Sequence, residues 1–304
     1  MGAGATVLCS EDVGPSLPVE VVVLISGLDP VAGAVADRWG SPEVFGGHVD
    51  GAAIRRLNDR TVFVRRPGAH IHDDDVDLRL PTSIRESHPT LVFPSIHRSE
   101  RNVPCLTVHP LGNPGPRAEV GGRPRTLVPT DPERMVSALR LLDERAAPLG
   151  LEATYEATHH GPAVSLPAFF IEIGYGELPQ PPSEAVRALA DVIPRIEVVP
   201  GDRVALGVGG GHYVPHFTDL ALRRRWAFGH LLSRHALPEI DRATAVEAFA
   251  ATPRAEGVVY ARAEDAEHPV LAGIGPRLRE QDAPDRERAG GRSSTDGDRS
   301  ASGT

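Results

Sequence analysis

Residues 154–174, Thr-Tyr-Glu-Ala-Thr-His-His-Gly-Pro-Ala-Val-Ser-Leu-Pro-Ala-Phe-Phe-Ile-Glu-Ile-Gly, set a polar, histidine-bearing loop directly ahead of a strand-sized apolar run. Gly161 and Pro162 punctuate the loop, and Phe169-Phe170-Ile171-Glu172-Ile173 has the aromatic and branched content of a strand. That strand carries one carboxylate. Burying an ionised carboxylate is costly unless it is paired, hydrogen-bonded or bound to metal. Glu172 beside two adjacent histidines therefore points to a functional site, and the rest of the chain has to be arranged to bury it.

The chain has the means to do so. It has 304 residues, 40% of them hydrophobic, which suffices for a sizeable core in one α/β domain or in two close-packed lobes. All 32 basic residues are Arg against 41 acids, a net charge of −9. With no lysine, a Schiff-base lysine and a P-loop lysine are both excluded. Two cysteines, Cys9 and Cys105, are too few for a disulfide framework or a zinc knuckle, so a reducing cytoplasm is expected. No apolar run is long enough for a membrane span, and the N-terminus lacks an export signal.

Residues 1–18 lack periodicity and read as a flexible extension, with the catalytic α/β domain expected over 19–278. Val19–Ser26 reads as a buried first strand, and Asp29-Pro30 as the start of a helix reaching Trp39. Thr61–Val64 is a short strand, and His70–Asp75 after it reads as a solvated acidic tip. Thr90–Pro94 and Cys105–His109 are strands that deliver His97 and His109 near their ends. In open α/β sheets ligands bind beyond the carboxyl ends of strands, which favours both as site residues; a structural hydrogen-bonding role is the alternative. Pro110–Arg125 reads as loop, and Asp131–Ala146 and Ser183–Val192 as helices. Val204–Val208 reads as the last interior strand, running into Gly209-Gly210-Gly211-His212-Tyr213 and then a helix over Thr218–Arg225. Three consecutive glycines let backbone N–H groups approach an anion or substrate, though the spacing is neither a Walker A loop nor a dinucleotide fingerprint. A further helix spans Arg242–Ala251, Val258–Tyr260 reads as an edge strand, and the apolar-free stretch 279–304 reads as a disordered tail.

The polar candidates converge on His97, His109, Glu156, His159, His160, Glu172 and His212. Histidine and carboxylate suit acid/base work near neutral pH or zinc ligation. There is no helical i, i+4 zinc motif and no G-x-S-x-G elbow, so the reading is a hydrolase whose groups are gathered from separate elements.

Tyr155–Pro162, Pro167–Gly174, Gly207–Pro215 and Ala227-Phe228-Gly229-His230, with Ser95–Ser99, Val103-Pro104 and Thr107–Asn113, resemble the D-aminoacyl-tRNA deacylases of the archaeal and plant type over roughly residues 19–262. The resemblance implies a central mixed sheet flanked by helices, similar to peptidyl-tRNA hydrolase and nucleoside phosphorylases. It implies a zinc-dependent cytoplasmic esterase acting on D-aminoacyl-tRNA for chiral proofreading, with no obligate protein partner. On that reading His159, His160, Glu172 and His212 are the catalytic candidates, as base, orienting carboxylate or acid. Glu156, Pro162, Gly209, Gly210, Gly211 and Tyr213 would bind substrate, and His97, His109, His160 and His212 would hold metal. Tyr175 departs from the Ser usual after Glu-Ile-Gly, and the segment after it is shortened. The rival readings are a nucleoside or nucleotide enzyme of phosphorylase-like fold and a noncatalytic tRNA-binding module.

Overall fold

The computed structural model describes residues 18–98 and 103–286. In chain order the elements are β1 (Val21–Ser26), α1 (Pro30–Arg38), β2 (Val44–Val49), β3 (Ala52–Arg56), β4 (Thr61–Arg66), α2 (Thr82–Arg85), β5 (Thr90–His97), β6 (Cys105–Pro110), β7 (Gly112–Asn113), β8 (Thr126–Leu127), α3 (Pro132–Ala146), β9 (Glu152–Tyr155) and β10 (Ala168–Gly174). Then follow α4 (Ser183–Val192), β11 (Arg203–Val208), α5 (Pro215–Arg223), β12 (Trp226–Leu232), α6 (Arg242–Ala250), β13 (Gly257–Tyr260) and β14 (Arg277–Leu278). No helix among the described residues is long and apolar enough to cross a membrane.

Eight strands form one mixed sheet in the order β2-β3-β4-β1-β5-β10-β6-β9, and a second sheet, β12-β11-β13-β14, is parallel throughout. The expected mixed α/β architecture is thus observed. α3 packs on β6 and β9 of the first sheet and on β12 of the second. The buried Arg140 of α3 bonds the carbonyls of Ala221 and Arg224 and pairs with Asp202 at 2.6 Å, fixing that helix to the second sheet.

Asp29 caps α1 by accepting from the Val31 and Ala32 amides, with Pro30 in the first turn, as its sequence position predicts. Along β10 the alternation of a strand sorts the side chains. Phe169, Ile171 and Ile173 join the core shared with the helices, whereas Phe170 joins the core on the opposite face, together with Phe93 of β5. Glu172 keeps the phase of Phe170. β10 pairs Glu172 with Ser95 and Gly174 with His97 on one side, and Phe170 with His109 on the other. The lone carboxylate of a fully buried strand therefore lies between two strands that each bring a histidine.

Several expectations are corrected. The hairpin β2–β3 carries no sequence signal because β2 is largely exposed with Gly46 and Gly47 in it and β3 is half-buried without alternation. The acidic tip at 70–75, read as a solvated loop or a helix start, begins as a short 3-10 helix over His70–His72 and is only partly solvated: His70 is buried against Ser95 (3.1 Å), Asp73 takes Arg66 (3.1 Å) and Arg79, and Asp74 accepts from the Ala163 amide at 2.8 Å, while His72 is exposed. Val204–Val208 is not the last interior strand, since β12 and β13 flank it, and β13 is covered in turn by β14. The helix after the triglycine begins at Pro215 rather than Thr218. The fold also continues past 278. Ala283 is fully buried, Trp226 Nε1 donates to the Glu280 carbonyl at 3.0 Å, and the Arg225 and Arg286 amides bond Pro284 and Arg223. Residues 279–286 are held by backbone groups, which need no apolar side chains and so leave no trace in a hydropathy pattern. The expected extension over 1–17 and the tail over 287–304 lie outside the described residues.

Candidate active site

The loop of residues 156–162 is tied to three neighbours by its backbone. The Ala157 amide donates to the His212 carbonyl (2.8 Å), the Thr158 amide to the Leu231 carbonyl (2.8 Å), and the Gly112 amide to the His160 carbonyl (2.8 Å). Glu156 and Tyr213 form an isolated antiparallel bridge. Gly121 and Gly122 press against this loop so closely that a Cβ on Gly161 would overlap the Gly122 backbone, which explains the small residues on both sides. The loop therefore carries Glu156, His159 and His160 over the sheet face that bears His97, His109 and Glu172.

Glu156 is the pivot of the resulting cup. It is fully buried, with Oε1 3.0 Å from His97 Nδ1 and Oε2 3.0 Å from His212 Nε2 and 3.7 Å from His159 Nε2. The two 3.0 Å approaches are within hydrogen-bonding distance, although neither oxygen meets strict hydrogen-bond geometry among the described residues. Burial would raise the Glu156 pKa; the nearby ring N–H groups of His212 and His97 outweigh it and hold the carboxyl well below its ordinary range. Glu172 behaves alike: burial opposes ionisation, but His109 and His97 bring its pKa down to about 2. Its Oε2 lies 3.3 Å from His97 Nδ1 and its Oε1 3.7 Å from His109 Nε2.

The histidines fall into two kinds. His97 has both ring nitrogens engaged, Nδ1 by the two carboxylates and Nε2 by the Tyr213 hydroxyl at 2.7 Å. Burial lowers its pKa, yet the paired carboxylates win and push it up to about 10. By contrast His109, His159 and His160 each donate Nδ1–H to a main-chain carbonyl, of Pro110 (3.2 Å), Ala157 (2.8 Å) and Gly161 (2.7 Å) respectively. For His159 and His160 this fixes the tautomer and leaves Nε2 as the nitrogen with a lone pair, the arrangement by which metal-binding histidines are oriented; His109 Nε2 faces Glu172, whose carboxylate overcomes burial and raises the His109 pKa, so this ring offers Nε2 to a metal only on giving up its proton. One ligand atom from each of these three lies within 4.8 Å of the others, and the His109 Nε2 atom is buried without a hydrogen-bond partner among the described residues. Burial, then the charge of His109, depresses His160 to about 4 and His159 well below the usual imidazole value, so both stay neutral near pH 7. A three-imidazole set with carboxylates alongside suits zinc by donor chemistry.

The cup opens into a cavity of about 330 Å³ lined by His159, His160, Glu172 and His212 and, on the far wall, by Asp29, His70 and Ser95. Sequence reading missed that wall; the signal was the Ser95-Ile96-His97 stretch, whose alternation puts Ser95 in phase with His97. Ser95 Oγ donates to Asp29 Oδ2 at 3.0 Å.

Not every expected binder reaches the cup. The Gly209 amide is spent on the Leu232 carbonyl (2.8 Å), so it is no oxyanion donor, and Gly210 and Gly211 line a separate cavity. Pro162 is buried and lines neither cavity. Tyr213 supports His97 instead of lining the cup. The Ala227–His230 motif proves structural: His230 Nδ1 pairs with the Thr158 hydroxyl at 3.0 Å, which in turn accepts from the Leu231 amide, so β12 holds the loop in place.

Residues 84–269 match the sequence profile of the D-aminoacyl-tRNA deacylases. The D-aminoacyl-tRNA deacylase of Methanoregula boonei is 40% identical over 218 residues, covering 70% of this chain and 46% of the relative. That of Thermoplasma acidophilum is 32% identical over 223 residues, covering 70% and 87%. The chain thus spans about half the length of the Methanoregula relative, and also of a Methanosphaerula palustris relative (49%). A crystal structure of a conserved protein of unknown function is similar with a TM-score of 0.73 and 26% identity, covering 87% of this chain and 96% of that one.

Proposed function

The chain belongs to the D-aminoacyl-tRNA deacylase family, and from that premise we propose that it hydrolyses the ester between a D-amino acid and tRNA, as a cytoplasmic chiral-proofreading enzyme. The observation that carries the reading is the cup itself, where five histidines surround two buried, ionised carboxylates at the floor of an open cavity. An aminoacyl ester is already activated, so the enzyme has to position a water, take its proton and stabilise the developing oxyanion.

His212 fits the proton acceptor. Its side chain is 43% exposed, it lines the cavity, and its Nε2 rests 3.0 Å from Glu156 Oε2. With its proton on Nε2, the nitrogen 3.0 Å from Glu156 Oε2, His212 keeps a lone pair on Nδ1, and the charge of the carboxylate stabilises the imidazolium formed when water gives up its proton. The water oxygen bonds to the ester carbonyl carbon, the bond to the ribose oxygen breaks, and the proton held on His212 passes to that departing oxygen. Glu172, through His97 and His109, keeps the neighbouring rings fixed.

We further propose that His109, His159 and His160 hold zinc. Bound there, the ion would polarise the ester carbonyl and acidify a water. The Nδ1 contacts of all three rings to backbone carbonyls and the closeness of one ligand atom from each support this assignment. The test is release of free amino acid from D- and L-aminoacyl-tRNA, with metal content measured on the purified protein. Release from the D-ester alone is expected; equal release from both, or from neither, overturns the reading.

A further inference from the structure

The cavity beside the cup has no part in the mechanism above, yet it is built like a binding site. Its volume is about 320 Å³, and Gly210, Gly211, His216, Arg234, His235 and Arg262 lie around it. It stands at the carboxyl ends of three parallel strands: β11 ends at Val208 before the glycines, β12 at Leu232 before Arg234, and β13 at Tyr260 before Arg262. Loops at this edge of a parallel sheet are where such folds take ligands.

Its chemistry is that of an anion site. The Gly210 and Gly211 amides have no hydrogen-bond partner among the described residues, and Gly210 has φ +81°, a conformation that lets consecutive amides face one concavity. Arg234 is held in place from behind: Nε donates to the buried Asp265 at 3.0 Å and Nη2 to its second oxygen at 3.4 Å. A guanidinium fixed on one edge presents its other donors without further ordering. His216 Nε2 is buried with no hydrogen-bond partner, the Glu280 carboxylate being 3.8 Å away. Asp265 and Glu264 balance the charge of Arg234 and Arg262, so an anion is favoured here by directed N–H groups more than by net charge.

One turn separates the two cavities: His212 faces the cup, while Gly210, Gly211 and Val214 line the second site. Resting on the deacylase reading, we propose that this second cavity binds a phosphodiester of the substrate's 3′-terminal strand, the group next along the chain from the ribose whose ester occupies the cup. The ligand chemistry is a phosphate ester attached to a nucleoside, and the site positions the ester without touching the reacting atoms.

The test needs no turnover. Binding of cytidylyl-(3′,5′)-adenosine, which contains the phosphodiester, is compared by calorimetry with binding of adenosine, which lacks it. The dinucleotide is expected to bind at least about tenfold tighter, and Arg234→Ala with Arg262→Ala to abolish that advantage while adenosine binding is unchanged. Because Arg234→Ala strands the buried Asp265, Arg234→Gln with Asp265→Asn, a neutral and hydrogen-bonded replacement, is the folded control and should show the same loss. Equal binding of the two ligands, or an advantage that survives in folded variants, overturns the proposal. Failure to release D-amino acid from tRNA would overturn the deacylase reading instead, since dinucleotide binding is measured separately.

Discussion

Both sheets bury histidines, and they do so for opposite ends. On the eight-stranded sheet His97 and His109 meet Glu172, with Glu156 lowered onto them by a loop. On the four-stranded sheet His230, equally buried, meets the hydroxyl of Thr158 and the backbone of Val128 and no carboxylate among the described residues, and burial drops its pKa to about 3. The first arrangement keeps charge inside the protein and opens it to a cavity. The second keeps a neutral ring as a strut. Burial of a histidine is therefore uninformative by itself, and the partner decides its role.

The largest expected effect lies in the cup. Glu172→Gln preserves shape and removes one of two charges that orient His97 and His109, and single-turnover hydrolysis of D-aminoacyl-tRNA should fall by about 10²–10⁴-fold. A folded variant within a few fold of wild type would place catalysis elsewhere. His160→Ala should also slow turnover and should lower bound zinc, whereas His230→Ala should leave metal content unchanged.

Next comes the edge of the second sheet. A chain ending at Leu278 loses the bonds from Trp226 Nε1, Arg203 Nη1, Arg224 Nη1 and the Arg225 amide to carbonyls of residues 280–284, the bond from the Arg286 amide to the Arg223 carbonyl, and the burial of Ala283. At roughly 1 kcal/mol per hydrogen bond, about 5 kcal/mol of stability should go. Urea unfolding compared with a chain ending at Arg286 measures this, and matching midpoints would mean that the segment contributes nothing.

His230→Ala should cost about 1–3 kcal/mol, since the Thr158 hydroxyl keeps its bond from the Leu231 amide but loses its bond to His230. In urea melts this variant should shift the midpoint, while folded protein keeps turnover within a few fold. A large rate loss with unchanged stability would make His230 part of the chemistry and erase the contrast between the sheets.

At neutral pH the smallest effect is a slope, which grows only on acidification. His230 titrates at about 3 when folded against 6.5 as the ordinary value, so between those pH values the unfolded chain binds the extra proton. Its share of stability is intact above about pH 6.5 and is lost as pH falls toward 3, by about 1.4 kcal/mol per unit at most. His230→Leu should flatten the acid limb of a stability–pH curve by one proton; an unchanged slope would show that another group carries it.

Much of this was legible in the chain. The aromatic and branched run within residues 168–174 marks a buried strand with an out-of-place carboxylate, and strand ends near His97 and His109 follow from the same local rules. The resemblance to deacylases rested on ordered motifs that local sequence also displays. What no pattern contained was which motif members meet. Whether the Gly209 amide faces a substrate or a carbonyl, and whether His230 supports or reacts, depends on registers between β11, β12 and the central loop. The pivotal role of Glu156 needed a loop residue to reach across to His97 and His212, which lie 59 and 56 positions away by their numbering. Propensity and hydropathy act over a few residues. Contacts between distant segments are settled only when the sheets close and each buried polar group takes the partner the packing leaves within reach.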